Sequence, residues 1–227
     1  MHLFVIPDAN RRWDEKNKLP KGKEHLAGYE AFKTLLESVW DLGVTHFTFW
    51  GLSIANFARE KEEVACLKAL LHTAIDELWQ RTERPCWDIK FRVVGDIAFR
   101  LPWRLCQKIE DLEARTKHHD KKHLTLLLAY DGEWDLDVRD TQMRLTLPPL
   151  IEPSRATKRK LLPSGFLPDV DLMVRTGGEP HLSGAPLAIQ MANAHIHFSD
   201  TYWPDFSVKE LEEAIRIFKS RPRRFGK

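Results

Sequence analysis

Apolar residues recur along this chain in two rhythms, and the two alternate. Leu3 to Ile6, Thr45 to Trp50, Ile89 to Val94 and Leu124 to Leu128 are short apolar runs bounded by turn-forming residues, the pattern of buried strands. A shorter run, Asp171 to Val174, stands just before a Gly pair and predicts another strand. Between these runs the spacing turns helical. Phe32, Leu35, Leu36, Val39 and Leu42 mark one face of a helix over Tyr29 to Leu42 that Gly43 ends. From Glu62 to about Trp79, residues Val64, Leu67, Leu70, Leu71, Ala74, Ile75 and Leu78 form a wide apolar stripe with acids at its start. Ile109 to Thr116 predicts a weaker helix and Val208 to Phe218 a stronger one, with Ser207 as its cap and Glu210 completing a capping box. Leu147 to Pro168, broken repeatedly by proline, predicts an irregular excursion. Alternating strands and helices require crossover connections. The expected fold is therefore α/β, one domain over residues 1–227, with a mainly parallel central sheet wrapped by helices.

Composition narrows the function classes. The 35 basic residues against 33 acidic ones leave a net charge of +2, too balanced for a nucleic-acid binder by bulk electrostatics, so any phosphate site must be local. Lys219-Ser220-Arg221-Pro222-Arg223-Arg224 is a basic cluster that reads more simply as a solvated tail than as a nucleic-acid contact. Cys66, Cys86 and Cys106 are too few and too dispersed for a disulfide framework, which predicts a reducing, cytoplasmic setting and three buried thiols. No apolar run approaches the ~18–20 residues of a membrane span, and no signal peptide is expected. The tryptophans at 40, 50, 79, 87, 103 and 134 read as core or rim aromatics.

In a parallel sheet, ligands gather where strands end, because loops and helix N-termini converge there. After the first strand comes Pro7-Asp8-Ala9-Asn10-Arg11-Arg12-Trp13, after the second Gly51 to Arg59, and after the fifth Arg175-Thr176-Gly177-Gly178-Glu179-Pro180-His181-Leu182-Ser183-Gly184. Guanidinium forks, amides, hydroxyls and glycine backbone N–H groups suit diphosphates, and an isolated carboxylate suits a magnesium ion bridging them. The phosphate cradles of nucleotide enzymes are missing: no G-x-x-x-x-G-K-[ST] occurs, and no G-x-G-x-x-G follows a strand. With a hydrophobic cleft supplied by the stripe from Glu62 onward, the ligand described is a diphosphate head on a hydrocarbon tail.

The Asp8 loop, His25 with Gly28, Ser53 through Arg59, Val94-Gly95-Asp96, Asp171 through Glu179, Trp203-Pro204-Asp205-Phe206 and Arg223-Arg224-Phe225-Gly226 together resemble the cis-prenyltransferase family, which includes the undecaprenyl diphosphate synthases and isoprenyl transferases. The resemblance implies a homodimer and Mg2+-dependent condensation of isopentenyl diphosphate onto an allylic diphosphate, with a new cis double bond. It implies that Asp8 holds the metal as the central catalytic residue and that Ala9, Asn10, Arg11 and Arg12 cradle the allylic diphosphate. Trp13, Lys21 and His25 would support that cradle. By the same carry-over Asn56 is the proton acceptor, and Ser53, Phe57 and Arg59 belong to a substrate-contacting loop. Arg175, His181, Leu182 and Ser183 would bind isopentenyl diphosphate, while Arg224 and Gly226 would reach a neighbouring subunit. A lipid product implies peripheral membrane contact. No nucleic acid is implied.

Several positions depart from the family pattern. His195 stands where a glutamate usually assists magnesium, and imidazole is a poor ligand for so hard a cation. The loop Ser53-Ile54-Ala55-Asn56 lacks the usual acid, and His181 and Lys21 replace arginines without offering the same planar fork. These changes gather on the homoallylic and metal side. Two further readings therefore accompany regular elongation: irregular, lavandulyl-type coupling of allylic diphosphates, and a non-catalytic accessory subunit of a heteromeric synthase.

Overall fold

The computed structural model describes residues 1–18, 23–148, 152–184 and 186–221. Six strands form one sheet: β1 (His2–Ile6), β2 (His46–Trp50), β3 (Ile89–Val94), β4 (Lys122–Leu127), β5 (Leu172–Arg175) and β6 (His195–Phe198). Their order is β3-β4-β2-β1-β5-β6, and every pairing is parallel. All strand C-termini therefore meet at one rim. The register sets Ile6 beside Arg175 and Arg175 beside Phe198, so the segments after β1, β5 and β6 leave the sheet together.

Alternation along β1 shows why both faces are covered. Leu3 and Val5 join Phe47, Phe49, Leu124, Leu126, Leu172 and Val174 on one face, whereas Phe4 and Ile6 join Trp50, Leu127 and Met173 on the other. The first face carries α2 (Lys23–Ser38), α3 (Lys61–Arg81), α5 (Trp103–Thr116) and α8 (Val208–Ser220), which contribute Phe32, Leu35, Ile75, Leu78, Ile109, Leu112, Leu211 and Ile215. Leu167, Val170, Leu187 and Met191 close the second.

The structure adds elements that periodicity did not show. The chain enters α1 (Asn10–Asn17) directly after Ala9 instead of forming a loop through Trp13. With Trp13 as its one large apolar residue, this helix has no stripe to read. α4 (Ile97–Arg100) is a single turn. α6 (Gly132–Thr146) starts at Asp131, whose carboxylate accepts the Trp134 N–H at 2.8 Å. α7 (Arg155–Lys160) lies inside the proline-rich excursion. Strand β6 was hidden because its alternation, His-Ile-His-Phe, is short and belongs to a sheet edge. The helix from residue 29 begins at Lys23 and tightens into a 3-10 turn over Val39–Leu42. Cys66 and Cys86 are exposed rather than buried, on the outside of α3 and in the turn beyond it, and Cys106 is partly buried; all three are free thiols. Trp103 is also exposed, while Trp50 is buried beside the rim. Among the described residues, no helix is long and apolar enough to cross a membrane.

Candidate active site

The chain reverses direction after β1 in a way that presents Asp8 to the rim. Its backbone N–H donates to the Ile6 carbonyl (3.1 Å) and to Thr176 Oγ1 (2.9 Å), and its carbonyl accepts from Thr176 Oγ1 (3.0 Å) and the Trp203 N–H (3.1 Å). The next residue lacks the conformational freedom of glycine, yet Ala9 adopts φ 74°, a left-handed conformation that starts α1 at Asn10. Four backbone and hydroxyl contacts thus hold one carboxylate in place.

That carboxylate meets the fifth-strand loop. Arg175, only 4% exposed, donates from Nη2 to Asp8 Oδ2 at 2.6 Å and from Nη1 to the His181 carbonyl, while its Nε finds no hydrogen-bond partner among the described residues. Asp8 Oδ1 accepts the Ala9 N–H at 2.6 Å, and Arg12 Nη2 lies 3.7 Å from Oδ2. Arg12 also reaches Glu179 Oε1 at 3.1 Å. The two loops touch closely at Gly177 (φ 93°): a Cβ there would fall 2.8 Å from the Ala9 Cβ and 2.9 Å from Arg12 Nη2. The glycine pair does not offer its N–H groups to a phosphate, because Gly177 donates to Thr201 O (2.8 Å) and Gly178 to Ser199 O (2.9 Å). Its role is close approach.

A cleft of about 670 Å³ opens over these groups. Asp8, Ala9, Asn10, Arg11, Arg12, His25, Ser53, Asn56, Arg59, Arg175 and Ser183 line it, so three loops and the start of α2 share one mouth. Asp8 is the one carboxylate among its described lining residues. The second-strand loop is a 3-10 turn over Ile54–Ala58 in which Asn56 Oδ1 accepts the Ser53 N–H at 2.8 Å. Arg59 is tied to Glu63 Oε1 at 2.6 Å, and His25 Nε2 lies 3.6 Å from the same oxygen. The cleft continues into a narrower apolar trench of about 120 Å³ between α2 and α3, walled by Tyr29, Phe32, Leu67, Leu70, Leu71, Ala74 and Leu78. Asn10, His25, Gly51 and Leu52 border both spaces. The Asn10 Oδ1 is buried there without a hydrogen-bond partner among the described residues.

Other expected site residues lie elsewhere. Trp13 donates to Asp205 Oδ1 (2.8 Å), fastening α1 to the turn at Trp203–Asp205. Phe57 sits between Lys68 and Arg100, at 5.7 and 5.9 Å from its ring. His181 lies against Arg175, with both ring nitrogens 3.3 Å from the guanidinium, and Leu182 packs on the second core. His195 is not brought to Asp8 within this chain. It pairs with Leu172 at the start of β5, the end of the sheet opposite the rim, and its ring faces Phe218 and Arg221. Burial and the neighbouring Arg221 charge lower its pKa. Lys21, Arg224 and Gly226 lie outside the described residues.

Sequence reasoning missed the supporting groups. Thr176 locks the Asp8 backbone, Trp50 lines the cleft, and Trp203 donates its indole N–H to the Gly28 carbonyl at 2.7 Å, seating α2 over the trench. A second group lies beside the fifth-strand loop, where the Gly132 N–H donates to the Gly184 carbonyl at 2.8 Å. Asp135 accepts from Tyr130 Oη (3.1 Å), the Ser164 hydroxyl (2.5 Å) and the Ser164 N–H (3.1 Å), and Tyr130 Oη accepts the Leu187 N–H (3.1 Å). Burial raises both the Asp135 and the Tyr130 pKa. Three polar residues and the Leu187 N–H, spread from residue 130 to residue 187, give no local signal.

Comparison with known proteins adds to this geometry. A family model described as "Putative undecaprenyl diphosphate synthase" matches residues 6–226. An isoprenyl transferase of Neisseria meningitidis serogroup B is 33% identical over 226 residues, spanning 100% of this chain and 89% of that protein. A ditrans,polycis-undecaprenyl-diphosphate synthase ((2E,6E)-farnesyl-diphosphate specific) of Pseudomonas syringae pv. tomato is 34% identical over 232 residues, spanning 100% and 90%. Among solved structures, lavandulyl diphosphate synthase from Lavandula x intermedia, in complex with dimethylallyl diphosphate, matches with a TM-score of 0.91 at 26% identity, covering 100% of this chain and 98% of that one. A probable undecaprenyl diphosphate synthase from Campylobacter jejuni matches with a TM-score of 0.79 at 27% identity and the same coverage.

Proposed function

The chain belongs to the cis-prenyltransferase family and is an enzyme of that class, elongating prenyl chains into cis-polyprenyl diphosphates; from this premise we propose how its own residues divide the work. The allylic diphosphate lies at the first loop, its tail in the trench between α2 and α3, and isopentenyl diphosphate lies at the fifth-strand loop. The observation that carries this reading is the 2.6 Å pair between Asp8 and buried Arg175, set in the wall of a cationic cleft that continues past Asn10 and His25 into an apolar trench.

Family membership implies a metal-dependent reaction. No cluster of three or more His, Cys, Asp or Glu side chains suited to a metal occurs among the described residues. A single carboxylate at a cationic cleft nevertheless fits Mg2+, which binds one or two carboxylates and completes its shell with substrate phosphates and water. Asp8 is the residue proposed to hold it, and His195 is not. When bound, the ion neutralises charge building on the departing diphosphate.

Chemistry then follows from placement. Arg11 and Arg12 draw the leaving oxygens, so the allylic C–O bond breaks toward positive charge. Arg175, in the cleft wall, supplies the positive charge that draws the isopentenyl diphosphate, with Ser183 as a further donor. The isopentenyl double bond attacks the allylic carbon as its C–O bond breaks, and the proton lost in forming the new double bond passes to an oxygen of the released pyrophosphate, on the side of the cleft that Asn56 lines. Apolar walls at Leu52, Leu67 and Leu71 exclude water that would quench the cation.

For the assembly, we propose a homodimer. Among the described residues the β6 edge is unpaired on one side, and Ile196 and Phe198 are 38% and 37% exposed. We place the chain in the cytoplasm, a reading supported by its three free thiols. Its amphiphilic product brings it to a membrane surface.

The test is turnover of purified protein with isopentenyl diphosphate, Mg2+ and dimethylallyl, geranyl or farnesyl diphosphate. Release of pyrophosphate with products lengthened by one five-carbon unit per step supports the reading; silence with all three starters rejects it. Coupling of two allylic units would instead assign lavandulyl-type synthesis, the activity in the name of the Lavandula enzyme whose fold this chain matches.

A further inference from the structure

We propose that the turn from α4 into α5 is a docking surface for an anionic lipid bilayer, beside the mouth of the cleft. Phe99 is 90% exposed and Trp103 is 65% exposed, two large aromatic side chains four positions apart. Such a pair is costly to leave in water unless something covers it. The segment from residue 97 to residue 104 carries Arg100 and Arg104 and no acid. Arg104 lies 5.6 Å over the Trp103 ring, so cation and indole share one outward position. Arg100 bonds Asp96 through Nε at 3.0 Å and stands 5.9 Å over Phe57, with Lys68 on the other approach to that ring.

Exposed Trp and Phe interleaved with arginine are the chemistry of a membrane interface: rings enter at headgroup depth, and guanidiniums meet anionic phosphates. A protein partner would more often meet such rings in a formed pocket with a polar rim. Topology gives the surface its direction. β3 ends at Val94 and α4 begins at Ile97, so the turn stands at the strand C-terminal rim, the rim on which the cleft opens. Phe57 belongs to the loop whose Asn56, Ala58 and Arg59 line that cleft, which places the patch next to the mouth. The proposal rests on the reading of an amphiphilic product and names the surface that meets the lipid.

Co-sedimentation with vesicles of phosphatidylglycerol and phosphatidylcholine, and of phosphatidylcholine alone, tests it on the full chain. Binding to the anionic vesicles is expected, falling about tenfold or more in the Phe99→Ser/Trp103→Ser variant and about threefold in Arg104→Gln. Turnover in detergent should stay within about twofold, which separates this proposal from the catalytic reading: lost turnover in wild type sinks the latter alone. Trp103→Phe should retain most vesicle binding. Equal binding by the double-serine variant, or none by wild type, overturns the proposal. So does a change of oligomeric state in the double variant by sedimentation velocity, which would assign the patch to a protein contact.

Discussion

The two ends of one sheet follow opposite electrostatic rules. At the rim, Asp8, Arg12 and Arg175 keep their charges in contact, with Arg175 almost wholly buried. At the base, register sets His2, His46 and His123 side by side across β1, β2 and β4, with ring centroids 5.9 and 4.2 Å apart. His2 and His46 are held neutral by burial. His2, 2% exposed, bonds Thr48 Oγ1 (2.8 Å) and the Pro168 carbonyl (3.0 Å), and burial lowers its pKa to about 4. His46 falls to about 4 through burial and the adjacent His123. The difference teaches where a parallel sheet keeps its charge: helix N-termini and loops at the rim favour anions and their cationic partners, whereas the base has only packing to serve.

Breaking the rim should cost activity far more than stability. Asp8→Asn keeps the shape but removes the charge, and is expected to lower kcat/KM by about 10²–10³-fold, read by pyrophosphate release. A thermal midpoint shifted less than the activity confirms that the charge serves chemistry, and turnover near wild type would remove Asp8 from its proposed role.

The base predicts the reverse dependence. Between pH about 6.5 and 4 an unfolded chain protonates His2 while the folded one does not, so the unfolded state binds more protons and stability falls as pH drops through that window. The shift corresponds to about 3 kcal/mol for His2, complete near pH 4 and flat below it. Urea titrations should show this slope, and His2→Gln should flatten it. His46, half buried, adds a smaller and solvent-screened share.

Smaller changes sharpen the contrast. Gly177→Ala adds a methyl where neighbours already stand at 2.8 and 2.9 Å and φ is positive, an expected loss of about 2 kcal/mol together with reduced turnover. Thr48→Val strips His2 Nε2 of its partner and should cost about 1 kcal/mol, with turnover at neutral pH preserved. If Thr48→Val reduced activity as much as Gly177→Ala does, the separation of the two ends would be lost.

The local pattern was sufficient for the strands at Leu3, Thr45, Ile89, Leu124 and Asp171, for the stripe of α3, and for the Ser207 capping box, which the structure completes through Glu210. Strand burial and helix capping are short-range, and residues within one or two turns carry their signal. Asp8, Arg12 and Arg175 were legible as candidates because motifs mark strand ends. Their contact was not, since 167 positions separate Asp8 from Arg175. Only the parallel register of β1 and β5 closes that distance. The same holds for Thr176 on the Asp8 backbone, for the Tyr130, Asp135 and Ser164 network, and for the N–H groups of Gly177 and Gly178, which bond the chain after β6. Conversely, His195 matched a motif position yet sits at the far end of its strand. Sequence by itself determined five of the six strands, the apolar stripe of α3 and which residue types crowd the strand ends, because those follow from local burial and backbone chemistry. Which of those residues touch was decided by tertiary structure, since contact depends on strand order and register, and neither is encoded within any one segment.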